Sequence, residues 1–426
     1  MRRTSILLLA LFIIFANQTV SAQNFYPEDN SGSFYGAFGM TVIDDQSYIT
    51  INLAPDIALG KFGVGLNINL LYNTQNGAIR AADWDEDYDW LRLVRYLRYG
   101  RKGDQFYTKI GTLDAARLGH GFLMNYYTNA ASYDARKIGL ALDIDFGNFG
   151  FESVTNNLGR LEIIGGRAFV RPLRPYLDIP IIKNLTFGAT FIADTDPDNR
   201  RSTEDQFSAF GFDVELPLIN FDMFKTYTYF DWAKLDTFGQ GTAFGIAADW
   251  NIFPGIAQIT ARLERRMLGK EFLPSYFDAF YEVQRYTPGS GYQKAQSLAL
   301  IQEETKGIFG ELAGHILNTI RLVGNFQKLD DTPNSGMLHL AAETKENIPM
   351  IAIQATYDKM GIEKGKDVFT LDDRSIARVG IGYKIKPYLI MFLDYYYTFQ
   401  FDEVQGKYKA QERFSPRLAF AYNFGF

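Results

Sequence analysis

Three histidines, His120, His315 and His339, are the imidazoles on which acid–base chemistry could be built, and the 426 residues contain no cysteine. Catalysis needs such a ring beside a hydroxyl, or paired with a carboxylate, where a substrate can reach it. His120 stands in Gly119-His-Gly-Phe122 and could pair with Asp114 or Asp134, but nothing further is arranged around that pair. Neither His315 nor His339 has a serine in a matching local context. No Gly-rich phosphate loop follows a strand and opens a helix, and no Cys/His metal spacing is present. Gly63/Gly65, Gly119/Gly121 and Gly380/Gly382 read as strand packing or turns. Asp83, Asp85, Asp87 and Asp89 alternate with Trp84, Glu86 and Tyr88. Clustered carboxylates suit a hard cation such as Ca²⁺, but this run lacks the central glycine of a Ca²⁺ loop and reads as an ordinary acidic external loop. The expectation is no enzyme, no catalytic residue, no metal ligand and no cofactor.

The remaining charges can act only through the elements that place them. Segments of about ten alternating residues recur along the chain, the length a tilted strand needs to cross a bilayer. Strands are expected near 34–43, 47–58, 62–73, 89–99, 105–112, 136–146, 148–156, 160–171, 185–195, 206–216, 222–233, 241–251 and 255–266. After a gap they resume near 305–316, 318–329, 335–343, 348–358, 374–385, 387–401 and 411–426. The fold class is all-β, an antiparallel up-and-down transmembrane barrel of about twenty strands, with eighteen the nearest alternative. Short links such as Gly60-Lys61, Gly147-Asn148 and Lys386-Pro387 alternate with longer ones such as 74–89, 113–135 and 359–373. The alternation holds from both ends only if 267–304 is a single external excursion. The link 172–184 is longer than this rule favours.

Period two also assigns faces. Ile138, Leu140, Leu142, Ile144 and Phe146 fall on the lipid side of one strand, leaving Asp143 and Asp145 inside. The same logic sends Asp194, Asp213, Glu215, Asp231, Asp249, Glu311, Glu343, Asp358 and Asp394 to the lumen. Arg92, Lys109, Arg262, Arg321, Arg378, Lys384 and Arg417 join them. A cation on the lipid face near mid-membrane costs roughly 2–4 kcal/mol, which is why these charges belong inside. Both signs are present, which predicts a wet, partly cross-braced lumen. Arg95 lies on the lipid-facing register of its strand, which calls for a bulge or slip there.

Composition agrees with a membrane wall. Aromatics make up 15% of residues, with 26 Tyr and 36 Phe, and glycine numbers 38. Mean hydropathy is only −0.14 because lipid-facing and water-facing residues average out. The net charge of −6 speaks against a nucleic-acid partner. Met1-Arg2-Arg3, an apolar run from Ile6 to Ala16, and Val20-Ser21-Ala22 make a secretory signal peptide over 1–22, cut before Gln23. A short periplasmic lead, 23–33, would precede the barrel at 34–426. Past the signal no apolar run is long enough for a helical span.

The last ten residues place Leu418, Phe420, Tyr422, Phe424 and Phe426 at every second position, with the chain ending on the aromatic. This resembles the C-terminal signal strand of Gram-negative outer-membrane β-barrels, porin-like in size. The resemblance implies export to the periplasm, insertion by the barrel-assembly machinery through that strand, and residence in outer-membrane lipid. It also implies a porin-like channel for diffusion of small polar solutes through a mixed-charge lumen narrowed by long loops. The alternative is a non-conducting barrel that anchors or partners surface assembly, secretion or adhesion; no particular protein partner is specified. A bore this wide would leak unless filled, which draws attention to 267–304. That stretch holds Phe272-Leu-Pro-Ser-Tyr-Phe-Asp-Ala-Phe-Tyr281 and a helix expected over 293–304. Such an aromatic loop packs on something, either inside the pore or as a surface cap. The loop 113–135 is the second candidate for a lumen insert.

Overall fold

Alternating side chains build the wall strand by strand. In β1 (Ser31–Ile43) Phe34, Phe38 and Met40 are exposed, while Ser33, Ala37 and Thr41 are buried. Phe244, Ile246 and Trp250 repeat the pattern on the strand Gln240–Ile252, with Ala243 and Ala247 buried between them. An outer face of Phe, Ile, Leu and Trp stabilises the molecule only against lipid.

The computed structural model describes residues 30–425 except 86, 180, 199, 201, 202, 253–255, 288, 289, 318, 345–347 and 403. The signal segment 1–22, most of the lead, and Phe426 lie outside the described residues. β1 is followed by β2 (Gln46–Leu59), β3 (Phe62–Leu66), β4 (Val94–Tyr99), β5 (Phe106–Gly111), β6 (Gly139–Asp145) and β7 (Phe149–Thr155). Next come β8 (Ile163–Val170), β9 (Thr186–Asp194), β10 (Phe207–Phe221), β11 (Phe224–Leu235), β12 (Gln240–Ile252) and β13 (Ala257–Leu268). β14 (Thr305–Ile316), β15 (Ile320–Leu329), β16 (Gly336–Thr344), β17 (Ile351–Ile362), β18 (Ser375–Lys386), β19 (Leu389–Asp402) and β20 (Lys407–Gly425) complete the wall. Each pairs antiparallel with the next, and β20 returns to β1 with Leu418 opposite Phe38 and Tyr422 opposite Phe34. Ile68–Asn73 extends the pairing along β2, outside the closed ring of 20. Closure gives each strand of the ring a partner on both sides, as a wall facing hydrocarbon requires.

The wall is uneven. β4 and β5 have 6 residues each and β6 and β7 have 7, whereas β20 has 19. The segment between β5 and β6 leaves and rejoins the wall at two of these short strands.

Four expected elements differ. The strand placed at 89–99 begins only at Val94, after a helical turn Asp87–Leu91. There the hydroxyl of Tyr88 accepts the Ile138 N–H at 2.6 Å, and Asp89 pairs with Arg92, which holds the segment off the wall. The helix expected over 293–304 is a single 3₁₀ segment, Lys294–Leu300. Gln293 and Gln296 cap it reciprocally. The last strand starts at Lys407 rather than 411, and the first at Ser31 rather than 34. Arg95 does sit at a register shift, where Gly65 faces Tyr96 and Leu66 faces Val94. It pairs there with Asp56.

Candidate functional site

The segment between β5 and β6 is held in shape by its own polar groups. Asn129 accepts the Leu113 N–H at 2.8 Å and donates to the carbonyls of Lys137 and Asn156. Ala116 and Tyr127 exchange two backbone bonds at 2.8 and 3.0 Å. Gly119 and Gly121, at φ +54° and +88°, turn the chain so that His120 projects from the tip. Its Nδ1 lies 3.0 Å from Asp231 and its Nε2 3.2 Å from Glu215, on β11 and β10. The ring stacks on Tyr229 at 3.9 Å, and the His120 carbonyl accepts from Arg262 of β13. Tyr229 has room because Gly245 faces it: a Cβ there would fall 2.1 Å from the ring. Burial opposes the imidazolium, but Asp231 and Glu215 outweigh it and push the His120 pKa up to about 10.

The same loop reaches the other side of the ring. Arg117 pairs with Glu311 of β14, and Tyr126 Oη donates to Glu311 at 2.6 Å. Tyr126 also stacks on His339 of β16 at 3.9 Å. Arg378 of β18 donates to the Ala130 carbonyl, and the Phe399 N–H of β19 donates to Ala131 at 3.2 Å. Asp134 takes Arg80 at 2.7 Å and Arg413 of β20 at 3.0 Å. The loop rooted at β5 and β6 is thus tied to β14, β16, β18, β19 and β20, strands remote from its root in the order of the ring.

The segment between β13 and β14 packs on this crossing loop. Phe272, Tyr276, Phe277 and Tyr281 are buried with Leu118, Phe122, Leu123, Met124 and Tyr127 against Ile163, Ile192 and Phe207 of the wall. Phe277 bonds through its N–H to Leu123 and through its carbonyl to Asn125, both at 3.1 Å. Lys137 and Asn156 donate to Glu282 at 2.9 and 2.8 Å, and Tyr127 donates to it as well. Burial raises the Glu282 pKa, yet Lys137 and Arg285 prevail and bring it down to about 2. Arg285 also meets Glu162 at 3.2 Å and Asp194 at 3.4 Å. Lys294 is different: burial lowers its pKa, and Asp278, 3.5 Å away, does not make up the loss.

Of the residues assigned to the lumen by alternation, several bind these two loops. Asp231 and Glu215 hold His120, and Glu311 and Arg262 hold the crossing loop. Lys109 reaches Asp114 at 3.3 Å, Asp194 accepts from Tyr281 at 3.0 Å, and Arg378 anchors Ala130. The others pair along the wall: Asp213 with Arg167 at 2.7 Å, Asp143 with Lys102 at 2.9 Å and Asp145 with Arg171 at 2.9 Å. Asp249 accepts from Thr260 at 2.7 Å, and Arg321 meets Glu343 at 3.0 Å. Asp358 meets His339 at 2.7 Å, and Asp394 binds Arg417. Arg92 is the exception, because it lies before β4 and holds Asp89 and the Arg136 carbonyl. Of the acidic run at its N-terminal side, Asp83 is taken by Arg80 at 2.9 Å. Leu418, Phe420 and Tyr422 of the C-terminal strand are exposed, and Phe424 stacks on Tyr422 at 5.8 Å.

Sequence reasoning missed Glu264 and Arg266, which share the register of Arg262 and are buried beside it. Alternation along β13 carried that signal. Arg117, Glu282 and Arg285 had no such signal, because no period orders a loop.

A closed antiparallel ring whose strands alternate exposed apolar with buried small or polar residues defines an outer-membrane-type β-barrel. No protein-family model matches the chain, and no curated protein matches it. Among solved structures, OccK9 (OpdG) of Pseudomonas aeruginosa is similar at 13% identity and a TM-score of 0.34, over 92% of this chain and 98% of that one. OprD of Pseudomonas aeruginosa gives 10% identity and 0.33, over 96% and 98%. The outer membrane protein OpdK of the same organism gives 11% and 0.31, over 94% and 100%. The fold is defined here by the chain's own strand pairings rather than by these likenesses.

Proposed function

We propose that the protein is an outer-membrane channel for small polar solutes, its bore narrowed by the segments between β5 and β6 and between β13 and β14. The observation that carries this reading is the crossing loop itself. Its ties to Glu311, His339, Arg378 and Arg413, on strands remote from its root, support a path through the lumen over a surface lobe. Charged side chains of both signs in the barrel keep partial access to water: Asp145 is 40% exposed, Glu215 31% and Arg171 21%. Such a lining favours small polar solutes of either charge over one ion class. The histidines read as fastenings of the constriction, since both ring nitrogens of His120 face carboxylates and His339 faces Asp358. On this reading the protein performs no catalysis. The exposed aromatics of β20 serve recognition by the assembly machinery.

Single-channel recording of the refolded mature protein in a planar bilayer tests the proposal. The expected result is small, steady open steps that grow when Phe272 to Glu304 is replaced by a short Gly/Ser turn. Silence from folded, inserted protein, unchanged by that replacement, would sink the channel reading.

A further inference from the structure

The link between β9 and β10 brings together three carboxylates that the sequence pattern did not single out. Asp196, Asp198 and Asp205 each offer an oxygen, and these three atoms lie within 4.8 Å of one another. Asp196 and Asp198 are 7% and 8% exposed. Like charges this close and this buried repel unless something positive sits among them.

Local donors use only part of the group. Asp196 Oδ2 takes Arg160 at 2.7 Å, Asp198 Oδ1 takes Thr203 and the Arg200 N–H, and Asp205 Oδ2 takes the Asp198 N–H and Gln293. Asp196 Oδ1 and Asp205 Oδ1 are buried with no hydrogen-bond partner. Orphaned carboxylate oxygens are costly to bury, and two of them fall in this one group. Two ligands of one Ca²⁺ at 2.3–2.6 Å can stand up to roughly 5 Å apart, which accommodates the observed spacing. An all-oxygen, anionic donor set selects a hard cation over zinc or copper.

We propose that Asp196, Asp198 and Asp205 bind a Ca²⁺ ion that staples this outer link to the constriction. The staple is direct, because Gln293 of the β13–β14 segment donates to Asp205 at 3.1 Å and Arg285 donates to the carbonyls of Pro197 and Asp196. The ion site stands whether or not the barrel conducts. With three protein carboxylates the affinity falls in the range of extracellular calcium modules, on the order of 0.1–1 mM.

The test uses the full mature barrel, folded in detergent and checked by its heat-dependent gel mobility. Calorimetric titration with CaCl₂ is paired with trypsin cleavage at Arg200 and Arg201, read by mass spectrometry. Saturable Ca²⁺ binding is expected, with cleavage slowed about tenfold at ten times the dissociation constant. Asp198→Asn and Asp205→Asn, which keep hydrogen-bond acceptors, should each lose both effects. No heat of binding and no protection of wild type would overturn the proposal. So would protection that persists undiminished in both variants.

Discussion

Tyr126 Oη donates to Glu311 Oε2 at 2.6 Å across 185 residues of sequence, joining the crossing loop to the wall opposite its root. Glu311 also accepts from Arg117 and, at 3.4 Å, from Arg262, so one carboxylate gathers three donors at the middle of the span. Hydrogen bonds to charged groups contribute about 1.5–3 kcal/mol each. Removing the hydroxyl loosens the loop without emptying the site, whereas removing the carboxylate strands two guanidinium groups.

Tyr126→Phe should therefore raise open-channel current noise and speed amide exchange across 113–135, with the barrel still folded. Glu311→Leu should do the same more strongly. Exchange unchanged in both variants would mean that the loop is held elsewhere.

The two loops carry opposite pH limbs. His120 has its pKa raised to about 10, so its contribution is whole below about 6.5 and is lost as pH rises through 10. Glu282 has its pKa lowered to about 2, so its contribution is whole above about 4.5 and is lost as pH falls through 2. The constriction should be tightest between about pH 4.5 and 6.5. Conductance recorded from pH 3 to 10 should rise at both ends. His120→Gln should flatten only the alkaline limb and Glu282→Gln only the acid one.

Tyr229 is the platform under His120, and Gly245 gives it space. Gly245→Ala places a methyl group 2.1 Å from the ring, so the ring must move. Overpacking of this kind costs about 1–3 kcal/mol. The expected signature is a His120 ring whose nuclear magnetic resonance titration falls back toward the ordinary range. An unmoved titration would show that the stack does not position the imidazole.

Much of this architecture was legible because a barrel wall repeats one rule. Leu142, Phe244 and Leu393 alternate with small or polar residues, and each falls in a strand where the period placed it. The Arg95 bulge was legible for the same reason, since a cation on the lipid register contradicts the rule. The Arg92 segment misled because Leu91 and Leu93 continue the alternation past the point where Tyr88 and Asp89 pull the chain off the wall. The path of 113–135 across the bore had no periodic signature. It depends on Glu311, His339 and Arg413 meeting Tyr126 and Asp134 across 185 to 279 residues of sequence. The three aspartates between β9 and β10 escaped notice because Asp83 to Asp89 offered a denser run. Folding paired Asp83 and Asp89 with arginines, whereas it gathered Asp196, Asp198 and Asp205 within 4.8 Å of one another.

The outer face itself can be tested by depth. Ile246 lies midway along β12 and is 48% exposed, while Trp250, 53% exposed, lies near the rim where the strand ends at Ile252. In a bilayer an arginine at the midplane costs about 2–4 kcal/mol and one near the interface about 0–1. Ile246→Arg should therefore destabilise the barrel in lipid vesicles several times more than Trp250→Arg, as read from guanidinium titrations. In water the two sites are almost equally exposed and their order would collapse. Equal losses in vesicles would mean that this band does not sit across the hydrocarbon. A steep ratio would place the midplane at Ile246, level with the buried Tyr229 and Gly245 on the inner side, and so set the depth at which the constriction lies.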